Sequence, residues 1–282
     1  MRAATAPRLL TGVLLLAAAC APPAGLAATR PLGRVRHEQV PLHLPAAWRQ
    51  QFEREAARLP ALALTDPEAI LRVRDCLYRV PWVDPQSVAV APDLPAGIRA
   101  VYRPRTPRLA LARGEKPVAL LSSDGVVLPD GFGEAAMAHF LRVPLAPNQP
   151  VPAAGERVSD ALQQEALSAA LEAIAVRDAF GIPLARIERR FDFPADAVGV
   201  PPALSFVCGD GREICWGWSA ASEARTAPPV AVRVPLETKL DRLKAVAALY
   251  PRLDGVSRLV LDRAVLRITG LAGEDLPRPA GF

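Results

Sequence analysis

Proline decides most about how this chain can fold. Thirty prolines fall within 282 residues, bunched in "APPAG", "APNQPVPAAG" and "TAPPV". Each lacks the amide donor that a helix interior needs, and its ring pushes the preceding residue out of helical conformation. A bundle of long helices is excluded, and many short elements separated by turns are predicted. Hydrophobic residues make up 51% of the chain, enough to fill one large core or two modest ones at this length. The fold class expected is α+β.

Charge argues against one class of partner. Lysine and arginine number 34 against 29 acidic residues, scattered along the chain. No basic run is present that would track a phosphate backbone, so nucleic acid is not an expected partner.

Residues 1–28 read as a signal peptide or a membrane anchor. Arg2 and Arg8 precede "LLTGVLLLAAACA", a charged-then-apolar order typical of secretory signals. Three readings fit. Cleavage near Ala27 or Ala28 would release a soluble protein; "LAAAC" would place a lipid on Cys20; and the uncharged run from Leu9 to Ala28 approaches the roughly 20 residues that span a bilayer, although Pro22 and Pro23 interrupt it. All three put the remainder in the periplasm or envelope, with membrane contact through the N-terminus in two of them. Residues 29–36 read as a flexible connector.

Beyond the connector the pattern suggests two modules. In the first, residues 37–131, "QVPLHL" alternates as a strand does. "PAAWRQQFEREAARL" follows as a helix with Ala46, Phe52, Ala56 and Leu59 among its apolar positions. "TDPEAILRVRDCLYRV" begins with a cap signal at Thr65 or Asp66 and Pro67 in the first turn, and carries Ile70, Val73, Leu77 and Val80 on one face. Pro81 must end it. Pro81, Trp82 and Val83 then form a helix-to-strand corner, with Trp82 as its plug. "SVAVA", "IRAVY", "RLALA" and "VALLS" read as strands of this module, and residues 132–157, with "VPLAPNQPVPAAGE", as a linker.

The second module, residues 158–270, opens with "SDALQQEALSAALEAIAVRDAF", whose Leu162, Ala166, Ala169, Ala173, Val176 and Phe180 form a stripe ended by Gly181. "IERRFDF", "ALSFVCGDGREICWGW" and "PVAVRVPL" read as strands. A helix "LETKLDRLKAVAALY" places Leu236, Leu240, Leu243, Ala247 and Tyr250 on one side, and "SRLVLDRAVLRI" reads as one last strand. A mainly antiparallel sheet with two flanking helices uses every stripe. Residues 271–282 remain as a C-terminal tail.

Cys76 reads as a small buried hydrophobe. Cys208 and Cys215 flank "GDGREI". A two-residue turn at Asp210-Gly211 would set Cys208 opposite Glu213 and Cys215 opposite Phe206. The thiols would then be diagonal neighbours on one face, about 7–8 Å apart and beyond the roughly 4.4–6.8 Å that a disulfide prefers.

Reactive constellations are sparse. His37, His43 and His139 have no ligand-spaced Cys or acidic partners, so no metal is expected. No phosphate loop or nucleophile elbow is present. Asp178, Glu188, Asp192 and Asp196 cluster only in sequence, and Trp216 and Trp218 share a strand face. A non-enzymatic protein without cofactors is expected.

Taken in series, "LTDPEAILRVRDCLYRVPWVDPQSVAV", "YRPRTPRLAL" and "ALLSSDGVVLPDGF" resemble the periplasmic part of the FtsQ/DivIB cell-division proteins, in a divergent form. "SDALQQEALSAALEAI", "REICWGW", "ETKLDRL" and "RLVLDRAVLRI" follow in the family's order, over roughly Thr65 to Ile268. The resemblance implies a POTRA module of β-α-α-β-β order, then an FtsQ-like β domain, acting as a non-catalytic scaffold of septum assembly. Its implied partners are other division or envelope proteins of the FtsB/FtsL kind. In the family the terminal strand can receive a partner by strand addition, since the main-chain groups of an edge need partners. Here that implies Leu259, Val260, Leu261, Asp262, Arg263, Val265, Leu266, Arg267 and Ile268, supported by Tyr250. Alternatives are a secreted or lipid-anchored POTRA-containing envelope assembly factor, or an enzyme with a cleft between the modules. The chain departs from the family in its near absence of a cytoplasmic tail and in its proline-broken apolar run.

Overall fold

The computed structural model describes residues 35–38, 44–59, 68–93, 97–190, 201–225 and 234–281. Segment 1–28 with Cys20, most of the 29–36 connector, the cap signal at Thr65, Asp66 and Pro67, His43, Asp192, Asp196 and most of "PVAVRVPL" lie outside them.

A first unit runs strand, helix, helix, strand, strand: β1 (Arg36–Glu38), α1 (Ala46–Ala57), α2 (Ala69–Tyr78), β2 (Ala89–Asp93) and β3 (Gly97–Val101). The sheet order is β1-β3-β2, with β1 parallel and β2 antiparallel to β3. Helix α2 buries Ala69, Val73, Cys76 and Leu77; of the face expected from the sequence Val73 and Leu77 are buried within the helix, Ile70 is only partly buried, and Val80 is buried just past its end. Just past its end, Trp82 is 1% exposed. Its indole N–H donates to the Trp48 carbonyl at 3.0 Å, and the two rings stack with centroids 5.7 Å apart. Trp48 in turn donates to the Pro129 carbonyl at 2.9 Å. Val83 bridges to Pro104, so the Pro81–Val83 corner links the helix pair to the strands beyond.

The remaining strands build one sheet. These are β4 (Pro107–Arg113), β5 (Lys116–Ser122), β6 (Leu141–Pro144), β7 (Leu184–Arg189), β8 (Leu204–Cys208), β9 (Glu213–Gly217), β10 (Val256–Val260) and β11 (Arg267–Gly270). Their order is β11-β10-β9-β8-β7-β6-β4-β5. Between them stand α3 (Glu134–Met137), α4 (Ala161–Phe180), α5 (Ala220–Arg225) and α6 (Leu236–Leu249). The fold is α+β with a large mixed sheet.

Two expectations about organisation change. The strands "RLALA" and "VALLS" are β4 and β5 of the large sheet, so the sheets divide between Val101 and Pro107, well before residue 131. Their residues serve both cores: Leu109, Leu111 and Leu121 join the core under α4, while Ala110 and Leu120 join Trp48, Trp82 and Tyr102. A strand apolar on both faces does not announce which sheet it enters. The presumed linker 132–157 likewise contributes α3 and β6, and β6 sits between β4 and β7.

The large sheet is mixed: the strands of the second expected module, β7 to β11, pair antiparallel except for β9 with β10, and further parallel pairs come with β4 and β6. Strands β4 and β6, β6 and β7, and β9 and β10 pair parallel. A parallel pair needs a crossover. Helix α4 supplies it between β6 and β7, α6 supplies it between β9 and β10, and both pack into one core. Gly181 ends α4 in the left-handed conformation (φ 63°), as its position predicts.

The β8–β9 hairpin differs by one residue from the expected register. Cys208 N–H donates to Arg212 O at 2.8 Å and Gly211 has φ 91°, giving a three-residue loop with glycine in its left-handed position. Glu213 therefore opposes Val207, Ile214 opposes Phe206, and Cys215 opposes Ser205. A one-residue slip turns every side chain over. Cys208 packs in the core with Phe206, while Cys215 takes the other face and accepts from Arg258 Nε at 3.2 Å. Cys76, Cys208 and Cys215 are all free thiols.

Candidate functional site

The stretch expected to form one docking strand is two strands and a loop. Leu259 and Val260 belong to β10, which lies between β9 and β11. Leu261 still donates its N–H to the Cys215 carbonyl at 3.1 Å. The chain then leaves the sheet through Asp262, Arg263, Val265 and Leu266, and returns as β11 with Arg267 and Ile268. Leu259, Leu261, Leu266 and Ile268 are buried, whereas Val265 is half exposed at the loop tip.

Two buried arginines explain the break. Arg242 of α6 donates to the carbonyls of Leu261 at 2.8 Å, Arg263 at 2.5 Å and Ala264 at 3.0 Å. Arg190, just after β7, pairs with the Asp262 carboxylate. Gly217 makes room: its φ is 82°, and a Cβ there would stand 2.8 Å from that of Asp262. Hydrophobicity alone conceals this arrangement, because the buried side of α6 includes Lys239 and Arg242 beside Leu243 and Val246. Leu236, Leu240 and Tyr250 are only partly buried on its flank. The spacing of 239, 242, 243 and 246 is the signal that was available.

Strand β11 ends the sheet, but its outer side is covered by the chain itself. After a turn at 271–273, Leu276 N–H donates to Ile268 O at 2.8 Å and Gly270 N–H donates to Glu274 O at 2.8 Å. Asp275 stands opposite Thr269. Leu276 packs against the main core, and the Tyr250 hydroxyl donates to Pro277 O at 3.2 Å. A Cβ on Gly270 would overlap the Glu274 carboxylate. The expectation of unoccupied backbone groups from Leu259 to Ile268 is corrected accordingly: one strand is internal, and the other is shielded by the presumed free tail. At the far edge, residues 126–128 shield part of β5 through Leu128 N–H to Leu120 O at 2.8 Å and Ser122 N–H to Val126 O at 2.9 Å.

A buried polar cluster not foreseen from the sequence lies where α4, α5 and α6 meet. Glu165 accepts from Ser219 N–H at 2.7 Å and from the Ser222 hydroxyl. Glu172, two turns on, accepts from the Trp216 indole at 2.7 Å and from Ala220 N–H at 2.8 Å. Lys239, 1% exposed, donates to Trp218 O at 2.9 Å and Glu223 at 2.7 Å. Burial pushes the Glu172 carboxyl above its ordinary range despite its two donors. These charges hold backbone: the two glutamates bind the amides at the start of α5, where helical partners are lacking.

Other candidates are dispersed. Asp178 pairs with Arg177 at 3.0 Å and Glu188 with Arg186 at 2.5 Å, and His139 is exposed. Trp216 stacks on Phe206 at 4.8 Å within the core, and Trp218 donates to Pro201 O at 2.7 Å. A cavity of about 460 Å³ lies apart from the polar cluster, between α1 and β5, lined by Gln51, Arg54, Val118, Asp130 and Val151 among others. Among the described residues no group of three or more His, Cys, Asp or Glu could hold a metal ion, and no helix is long and apolar enough to cross a membrane.

No protein-family model matches the chain. A search of curated proteins finds no match to it.

Proposed function

We propose that the protein is a non-catalytic envelope scaffold resembling FtsQ, in which a POTRA-like first unit and a β domain ending in β11 engage other division proteins. The observation that carries this reading is topological. A strand-helix-helix-strand-strand unit with sheet order β1-β3-β2 precedes a sheet whose last strand in sequence is also its terminal strand. That placement leaves β11 at the border of the sheet, with residues 274–277 of the same chain lying on its outer side. The buried charges support the same reading, since Glu165, Glu172, Lys239 and Arg242 are engaged in holding backbone carbonyls and amides.

A working part outside the cytoplasm is supported by the charged-then-apolar order of residues 1–28, read as a signal peptide or anchor. FtsB/FtsL-like envelope proteins are its proposed partners. The test is a functional fluorescent fusion followed by fractionation: envelope retention with a band at the division site is expected. Cytoplasmic recovery, or an even distribution around the envelope throughout the cell cycle, would overturn it.

A further inference from the structure

We propose that the cavity between α1 and β5 is a binding site for a short zwitterionic peptide with aliphatic side chains. The inference goes beyond the scaffold reading and does not depend on it. The cavity holds about 460 Å³, within the range of sites that take small ligands. Val118, Leu128 and Val151 give it an apolar wall; Leu128 is buried, while Val151 is 38% exposed. Three polar groups line the same space. Gln51 Oε1 is a buried acceptor with no hydrogen bond among the described residues, a state that native interiors seldom leave without a reason. Arg54, one turn further along α1, and Asp130 are both exposed, and neither makes an ion pair among the described residues.

These groups dictate the ligand. Arg54 calls for an anion, Asp130 for a cation and Gln51 Oε1 for an N–H donor. A dipeptide carries all three in one small molecule: a carboxylate, an ammonium group and the peptide N–H between them, with side chains left for the apolar wall. A free amino acid lacks the middle donor, and a fatty acid lacks both donors. The walls are fixed before any ligand arrives. Trp48 N–H on Pro129 O at 2.9 Å ties α1 to the segment carrying Leu128 and Asp130. Gly155 N–H on Val127 O and Val127 N–H on Glu156 O, both at 2.9 Å, hold the stretch that follows Val151. A Cβ on Gly131 would stand 2.6 Å from that of Pro45, so the chain after Asp130 passes tightly against the start of α1. Walls ordered in advance leave little to be ordered on binding.

The test titrates the full chain with the dipeptide leucyl-alanine at millimolar concentrations, read by two-dimensional amide NMR and by calorimetry. Saturable shifts are expected at the amides of Val118, Leu128 and Val151. Arg54→Gln should weaken leucyl-alanine about fivefold, the upper worth of an exposed ion pair, and should leave the binding of leucyl-alanine amide, which has no carboxylate, unchanged. Asp130→Asn should weaken leucyl-alanine similarly and spare its N-acetyl derivative. Both positions are exposed, so these variants should fold, and unshifted amides in β8 and β9 verify it. Absence of saturable shifts at the three amides, shifts centred on another surface, or equal losses of leucyl-alanine and its amide on Arg54→Gln overturns the proposal. No division protein enters the measurement, so failure of the scaffold reading leaves these outcomes unmoved.

Discussion

Arg190 and Asp262, 72 positions apart, meet as a buried ion pair with side chains 1% and 5% exposed. The pair fastens the segment after β7 to the loop between β10 and β11, and so holds the last strand in place. Removing one partner of such a pair strands a charge in the interior, at about 3–5 kcal/mol. Asp262→Ala should lower unfolding free energy by that amount in urea titrations. The double replacement Arg190→Met with Asp262→Leu should recover most of it, and a double variant no better than the single one would contradict this assignment.

Acid dependence follows from the same burial. Burial raises the carboxyls of Asp262 and Glu172, outweighing the Arg190 guanidinium beside the first and the Ala220 and Trp216 donors on the second. Unfolded, they titrate near 3.8 and 4.5. The folded state therefore holds their protons to higher pH than the unfolded state. Their contribution favours the fold at low pH and is lost as pH rises from the unfolded values through the raised folded ones. Glu172→Gln should flatten that part of the stability profile relative to wild type; an unchanged slope would show that Glu172 does not titrate there.

Burial also pushes the thiols of Cys208 and Cys215 up to about 11. Thiolate is the reactive form, so the native protein should label slowly with a thiol reagent. After denaturation without reductant, Cys76, Cys208 and Cys215 should all react. Loss of two of these thiols would mean that the β8–β9 register is not the one described.

That register shows where the sequence stops being legible. "CGDG" signals a tight hairpin, yet it accommodates either a two-residue loop at 210–211 or a three-residue loop at 209–211, and the one extra loop residue inverts Cys215. Helices α2 and α4 were plain because their apolar residues recur at helical spacing and Pro81 and Gly181 punctuate their ends. The course of α6 was plain too, but its buried Lys239 and Arg242 were not, since their partners are carbonyls and carboxylates distant in sequence. Likewise "RLVLDRAVLRI" alternates well enough for one strand; the arginines that bend it at Asp262 come from elsewhere in the chain.

At the corner that joins the helix pair to the strands, Trp82 fills the space against Trp48, Phe52 and Tyr102. Trp82→Ala should cost about 3–5 kcal/mol, the usual penalty for deleting a large buried aromatic. Trp82→Phe keeps the ring and loses the indole bond to Trp48 O, so it should cost clearly less. Equal losses for the two, measured by chemical denaturation, would show that the hydrogen bond rather than the packing holds the corner.

Whether the edge at β11 is where other envelope proteins dock is tested most directly by photocrosslinking in growing cells. The crosslinker is placed in turn at Thr269 on β11, at Leu259 on the internal strand β10 and at Leu171 on the exposed side of α4. Adducts with an FtsB- or FtsL-type division protein are expected from Thr269, and from neither of the other two positions. Adducts with such a protein from Leu171 but not from Thr269, or no adduct from Thr269 in cells where the protein is folded and correctly localised, would contradict it.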